Sequence, residues 1–214
     1  MLVSGYSPPQ PTCSAKVDVG FILDSSGSLR NDYQREKDFL TTLAATFGVT
    51  QDNARASVVT FSYFADLSIK FNDHSDIISF AGAVDAIPLM GSTTRIDRAL
   101  RETQNQMFSL KNGARLGVTK ILILLTDGSQ TKDAGAEDPA AIADEIRRSG
   151  IAVILVGIGA GVNQVELDKI AGGPANAFSA ASFDELVGGT FIQEFSEKAC
   201  KEGSLFFTGS CFRF

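Results

Sequence analysis

Three short segments of the chain concentrate small oxygen-bearing side chains. Asp24, Ser26 and Ser28 alternate in a D-x-S-x-S pattern, so their side chains can point to the same side of a turn. The segments 91–94 (Gly-Ser-Thr-Thr) and 126–129 (Thr-Asp-Gly-Ser) are similar in composition. Carboxylate and hydroxyl oxygens without histidine or cysteine suit a hard cation, Mg²⁺ first, with Ca²⁺ and Mn²⁺ as alternatives. A turn whose serines only cap a helix explains the first pattern equally well.

Apolar runs of strand length predict the elements that position these segments. The runs Val17–Leu23, Ile121–Leu125 and Ile151–Val156 are typical of buried strands. Ser57–Phe61 and Leu67–Phe71 are separated by a short gap, which predicts a hairpin and hence one antiparallel neighbour. A sixth, weaker strand is predicted near Ala177–Ser179.

Helical periodicity fills the longer connections between these strands. Asp138, Pro139 and Gly150 provide an N-cap, a first helical residue and a left-handed stop. The sequence therefore predicts an α/β fold: a doubly wound, mostly parallel six-stranded sheet with one antiparallel edge strand and helices on both faces. In such folds ligands bind at the carboxyl ends of the strands. The predicted helices lie at Tyr33–Phe47, closed by Gly48, and at Leu100–Leu110, Ala140–Arg148 and Val165–Ile170. The last helix is predicted to open at a capping box formed by Ser182 and Glu185, with Leu186, Phe191 and Phe195 buried.

Length and charge narrow the class of protein. A chain of 214 residues fits one domain, and its net charge of −6 with scattered basic residues argues against nucleic acid. No run approaches the roughly 18–20 apolar residues of a membrane span. We expect a leader or linker at 1–15, one domain at 16–200 and a tail at 201–214. The leader lacks the pattern of a secretory signal, so the signal is expected upstream or the protein is not secreted.

Nothing else in the sequence favours an enzyme. The only histidine, His74, lies in a polar loop after the third strand, where a solvated side chain is expected. There is no G-x-S-x-G elbow, phosphate-binding loop or C-x-x-C pair. The glycines of Gly157–Gly161 lack the spacing of a dinucleotide site. A metal-dependent hydrolase is the minor alternative, because it would need a general base or a second metal nearby.

The three cysteines, Cys13, Cys200 and Cys211, flank the patterned part of the chain. This placement is typical of a clasp between chain ends in an oxidising compartment. Three unrelated thiols are the alternative, because a count does not establish connectivity.

The chain from Lys16 to Cys200 resembles the von Willebrand factor type A domain with its metal-ion-dependent adhesion site. The resemblance is carried by V-G-F-I-L-D-S-S-G-S at 19–28 and by I-L-L-T-D-G at 123–128. The family threonine lies five residues before an Ala-Leu pair, here Ala99-Leu100, which favours Thr94 over Thr93. The resemblance implies five metal ligands: Asp24, Ser26, Ser28, Thr94 and Asp127.

The segment Gly157–Val165 is too short for the extra helix of integrin α-subunit inserted domains, so the chain resembles more closely the A domains of matrilins, collagen VI and related matrix proteins. That likeness implies a Cys13–Cys200 disulfide, with Cys211 left for an intermolecular bond. It also implies a secreted, extracellular-matrix location. The implied function is adhesion through the cation, completed by a carboxylate of a matrix protein such as collagen. A structural matrix module that does not use the metal is the alternative.

Three arginines lie near the metal segments in the sequence. Arg30, Arg95 and Arg98 are candidates to receive an acidic ligand. Solvated residues at the starts of helices are the alternative interpretation.

Overall fold

The computed structural model describes residues 16–188 together with Ile192 and Phe195. Within these residues the strands are β1 (Val17–Asp24), β2 (Ala54–Phe61), β3 (Ala65–Ile69), β4 (Thr119–Thr126), β5 (Ile151–Ile158) and β6 (Ala177–Ala180). These six described strands form a single sheet in the order β3-β2-β1-β4-β5-β6, and among them only the β2–β3 pair is antiparallel. The predicted fold is therefore confirmed.

Six α-helices of the described part of the chain cover the two faces of the sheet. They are α1 (Tyr33–Phe47), α2 (Ile77–Asp85), α3 (Ile96–Glu102), α4 (Pro139–Arg148), α5 (Gln164–Ala171) and α6 (Phe183–Gly188). Helices α1, α2 and α6 pack in one hydrophobic layer, and α3, α4 and α5 pack in the other. Within the described residues no helix is long and apolar enough to cross a membrane.

The local signals at the helix ends act as the sequence predicts. The Asp138 side chain accepts a hydrogen bond from the Ala140 N–H at 3.0 Å, and Gly150 follows α4 with a φ of 85°. Helix α1 ends at Gly48, whose φ is 67°. Such left-handed positions favour glycine because a Cβ atom would clash with the backbone.

Several elements differ from the sequence prediction. Helix α2 was not predicted, because it buries only Phe80 and Val84 and leaves Ile78 83% exposed. Strand β3 begins and ends two residues earlier than expected. The α-helix predicted to reach Leu110 instead ends at Glu102. A π-helical turn, Thr103–Met107, follows it.

The capping box at the last helix is also altered. The Ser182 hydroxyl accepts from the Glu185 N–H at 3.4 Å, as predicted. The Glu185 carboxylate, however, accepts from the Ala181 N–H at 2.7 Å. Phe195 is buried as expected, whereas Phe191 lies outside the described residues.

The strand order creates a crevice at one edge of the sheet. Strand β1 lies between β2 and β4, so the chain winds one way from β1 to β2 and the other way from β4 to β5. The carboxyl ends of β1 and β4 meet at this switch point, where open α/β sheets bind ligands.

Candidate metal centre

The first carboxylate of the site is fixed at the end of β1. Asp24 is the last residue of the strand and is completely buried. Its Oδ1 atom accepts from the Ser26 N–H at 2.9 Å, and its Oδ2 atom accepts from the Thr126 hydroxyl at 2.6 Å. Thr126 ends β4, so a residue of the neighbouring strand orients the β1 carboxylate.

A chain of short contacts joins the D-x-S-x-S turn to the end of β4. The Ser26 and Ser28 hydroxyl oxygens lie 3.1 Å apart. The Ser28 hydroxyl then donates to Asp127 Oδ1 at 2.9 Å. Residues about 100 positions apart in the sequence are brought together in this way, because parallel strands end at the same edge of the sheet.

The third oxygen-rich segment crosses the same edge between α2 and α3. The Ser92 carbonyl accepts from the Gly27 N–H at 2.9 Å, which ties this segment to the β1 turn. A Cβ atom placed on Gly128 would lie 3.8 Å from the Thr94 Oγ1 atom, so Thr94 faces the β4 loop. Thr93 is exposed to solvent. The structure thus brings Thr94 to the site.

No basic side chain of residues 16–188 pairs with the two carboxylates. Among the described residues, neither Asp24 nor Asp127 has a lysine or arginine within ion-pair distance. Burial raises the pKa of Asp24 to about 6 despite the hydrogen bonds from Thr126 and Ser26, and burial also raises the pKa of Asp127. A site of anionic and hydroxyl oxygens without a cation suits a divalent metal ion.

A third carboxylate, Glu36, lies beside the site and was missed by sequence reasoning. It is completely buried on α1, and its Oε1 atom accepts from the Asp24 N–H at 3.2 Å. Its second oxygen has no hydrogen-bond partner within the described part of the chain. Burial, followed by the charge of Asp24, raises the pKa of Glu36 well above its usual value. The sequence does contain a sign that Glu36 is buried: it lies in helical register with Tyr33 and Leu40, on the apolar face of α1.

Arg95 is buried, so it can neither contact an acidic ligand nor be a solvated residue at the start of a helix. Both expectations for Arg95 were wrong. Its side chain is 1% exposed and donates two hydrogen bonds to the Asp97 carboxylate, at 2.8 and 2.7 Å. A third bond reaches Asp133 at 2.7 Å. Burial acts to raise the pKa of Asp97, but the bonds from Arg95 and its neighbours outweigh it and lower the pKa to about 2.

This buried ion pair ties the Thr94 segment to the loop after β4. The Gln130 side chain donates to Asp97 at 2.7 Å, and the Glu137 N–H donates to the same carboxylate at 3.0 Å. The Thr94 carbonyl accepts from the Thr131 N–H at 2.8 Å. Of the other two candidate arginines, Arg30 is exposed and Arg98 stacks on Tyr63.

The comparisons with known proteins place the chain in a family. Residues 18–194 match the model of the von Willebrand factor type A domain. The chain belongs to this family. The chain is similar to von Willebrand factor A domain-containing protein 2 of Xenopus laevis, with 28% identity over 89% of this chain and 23% of that protein. They are also similar to the mouse collagen alpha-6(VI) chain, with 33% identity over 80% of this chain and 7% of that protein.

An integrin subunit and a mussel protein extend the set of relatives. Mouse integrin alpha-M is 30% identical over 79% of this chain and 15% of its own length. The solved structure of proximal thread matrix protein 1 from the mussel byssus, with a zinc-occupied MIDAS motif, superposes with a TM-score of 0.77. It is 28% identical and matches 88% of this chain and 46% of its own. The chain thus spans less than half the length of each of these relatives.

Proposed function

We propose that this domain binds a protein partner of the extracellular matrix or cell surface through a divalent cation, Mg²⁺ first. The observation that carries the proposal is the chain of oxygen contacts from the β1 turn to Asp127, with Thr94 facing the same loop. The similarity to collagen VI chains, an integrin subunit and a byssal matrix protein supports the proposed setting. The proposed metal ligands are Asp24, Ser26, Ser28, Thr94 and Asp127.

The charge of these residues leaves a bound cation able to accept a carboxylate from a protein partner. Two of the five proposed ligands are carboxylates and three are neutral hydroxyls. The two carboxylates therefore neutralise a doubly charged ion without adding a net negative charge that would repel another carboxylate. When bound, the ion supplies a Lewis-acidic position that a partner's carboxylate oxygen can occupy. Thr126 and the Ser26 N–H hold Asp24 in place for this purpose, and Ser28 holds Asp127.

A hydrolase is the weaker interpretation of the same residues. It would need a general base beside the metal. His74 follows β3, which runs antiparallel to its neighbour, and therefore lies toward the opposite edge of the sheet. Glu36 is buried beneath Asp24 and has no exposed surface. We therefore propose a non-enzymatic domain.

Metal binding is tested by thermal unfolding of chelator-treated protein. Addition of Mg²⁺ at about 100 times its dissociation constant should stabilise the fold by about 2.7 kcal/mol, because the ion binds only the native state. For a domain of this size that corresponds to a rise in Tm of about 5–10 °C. Mn²⁺, Ca²⁺ and Zn²⁺ are tested in parallel, since the mussel protein holds zinc.

Two variants separate metal binding from folding. Asp24→Asn preserves the size of the side chain and removes the charge. Its carbonyl oxygen can still accept from the Ser26 N–H, and its amide can donate to the Thr126 hydroxyl, so the domain should fold and lose the metal-induced rise in Tm. Ser129→Ala, just outside the proposed ligand set, should retain the rise. A wild-type protein whose Tm ignores both chelator and all four metals would refute the proposed site.

Metal affinity should depend on pH because protons compete for Asp24. Its folded-state pKa of about 6 lies above the reference of 3.8, so the metal-free fold loses stability as pH rises between these values. Metal binds the ionised form, and its affinity should rise with pH and level off above about 7. Titration calorimetry at about pH 5 should give an apparent affinity about tenfold weaker than at about pH 7.5. An affinity that does not change over this range would contradict the assignment of Asp24.

The Cys13–Cys200 disulfide and the domain limits 16–200 remain predictions, because both cysteines lie outside the described residues. Peptide mapping of protein from an oxidising source should recover a Cys13–Cys200 peptide, with Cys211 free or paired between molecules. Reduction should lower the free energy of unfolding by about 2–4 kcal/mol. A Cys200–Cys211 peptide, or three free thiols, would overturn the pairing.

A further inference from the structure

Two aromatic side chains are exposed beside the candidate metal centre. Tyr63 and Phe64 form the tip of the β2–β3 hairpin and are 36% and 65% exposed. The Ser62 carbonyl next to them accepts from the Arg95 N–H at 3.0 Å, and Arg95 directly follows Thr94. The hairpin tip is therefore bonded to the same segment that presents Thr94 to the site.

Contacts between neighbouring side chains hold the aromatic pair in place. The two rings pack edge to face with their centroids 4.9 Å apart. The Arg98 guanidinium lies 4.1 Å from the Tyr63 ring centroid and 5.7 Å from that of Phe64, and it donates to the Tyr63 carbonyl at 2.6 Å. We call Tyr63, Phe64 and Arg98 the aromatic shelf. Rigid aromatic surfaces lose little entropy when a partner packs on them, which is why they dominate binding energies.

The charge of the shelf is complementary to an acidic partner. Within the described part of the chain, Arg98 has no carboxylate within 4.0 Å, unlike the nearby Arg95 and Arg101. Its positive charge is therefore available to attract an acidic segment and to repel a basic one. Met90, which is 41% exposed and bonded through its N–H to the Ser25 hydroxyl, adds apolar surface at the same edge of the sheet.

We propose that the aromatic shelf is the second half of the binding surface. It selects an extended partner segment in which an apolar or proline side chain lies within about three residues, or about 10 Å, of the acidic residue that reaches the metal centre. The apolar side chain packs on Tyr63 and Phe64 while the carboxylate binds at the metal. This inference rests on the proposed cation-dependent function and adds the class of segment that the site accepts.

The test is a phage-displayed peptide library with glutamate fixed at the central position. The library is selected on the domain in millimolar Mg²⁺ and eluted with EDTA. The eluted peptides should be enriched in aliphatic, aromatic or proline residues within about three positions of the glutamate and depleted in lysine and arginine. A selected peptide should bind Phe64→Ser about tenfold more weakly than wild type, the loss expected for an interfacial aromatic anchor.

Matched variants isolate the shelf from the metal site. Selection on Phe64→Ser should lose the apolar enrichment and keep the EDTA-dependent elution, whereas Phe64→Leu should keep both. Leu116→Ser alters a side chain that is 79% exposed just before β4, at the opposite edge of the sheet, and should match wild type. Each variant is first checked for its Mg²⁺-induced rise in Tm.

The two possible failures are distinguishable. EDTA-eluted peptides without apolar enrichment, or with the same enrichment on Phe64→Ser, would overturn the shelf and leave the metal function intact. Recovery of no EDTA-dependent peptides, or of peptides that bind equally well when glutamate is replaced by glutamine, would overturn the proposed function and the shelf with it.

Discussion

Binding of the domain to immobilised collagens should be abolished by EDTA and restored by Mg²⁺. In the proposed function a partner's carboxylate contacts the bound cation through a charge-assisted bond, which cannot form without the ion. Asp24→Ala and Thr94→Ala should each weaken binding by about 100-fold or more, because such contacts contribute several kcal/mol when one member is removed. Surface plasmon resonance over a panel of collagens, in Mg²⁺ and in EDTA, measures this directly.

Thr93→Ala is the matched control for Thr94→Ala. The two threonines are adjacent, but Thr93 is exposed and Thr94 faces Gly128 across the site. Only Thr94→Ala should therefore reduce binding. Arg30→Ala removes an exposed charge and should act mainly by slowing association, with a smaller effect on affinity. If collagen binding survives both EDTA and Asp24→Ala, the domain is a structural assembly module.

The strands, and the residues that meet at their carboxyl ends, can be predicted from the sequence. Val17–Leu23 and Ile121–Leu125 read as strands because both faces of these strands are buried. Their parallel pairing then places Asp24 beside Asp127 without further information. The hydrogen bond from Thr126 to Asp24 follows from the same pairing, although the sequence pattern alone did not reveal it.

Features that depend on tertiary partners are not visible in the sequence. Arg95 and Glu36 look like ordinary charged residues of helices, yet both are buried, because packing rather than residue type decides their exposure. The sequence does not predict helix α2 because the apolar face of this helix is narrow. The stacking of Arg98 on Tyr63 joins residues 35 positions apart in a contact that no periodicity encodes.

Loss of the Arg95 side chain should be the most destabilising single substitution near the site. Arg95→Met leaves the Asp97 carboxylate, whose side chain is 2% exposed, without its bidentate partner. Breaking a buried ion pair by removal of one member costs about 3–5 kcal/mol, because the remaining charge stays desolvated. Urea unfolding in the presence of chelator measures the change without any contribution from metal binding.

The double variant Arg95→Met, Asp97→Leu distinguishes the ion pair from general packing. If the loss in Arg95→Met comes from the orphaned carboxylate, removal of that carboxylate should restore part of the stability. The recovery is incomplete because the Gln130 amide and the Glu137 N–H then lose their acceptor. In the wild type, the folded-state pKa of Asp97 is about 2 against a reference of 3.8. The stability contributed by the pair is therefore present above the reference value and lost as pH falls toward 2. Arg95→Met should accordingly show a weaker loss of stability than wild type across that interval. A destabilisation below about 1 kcal/mol in Arg95→Met, the size of a typical point mutation, would show that the pair does not hold the Thr94 segment in place.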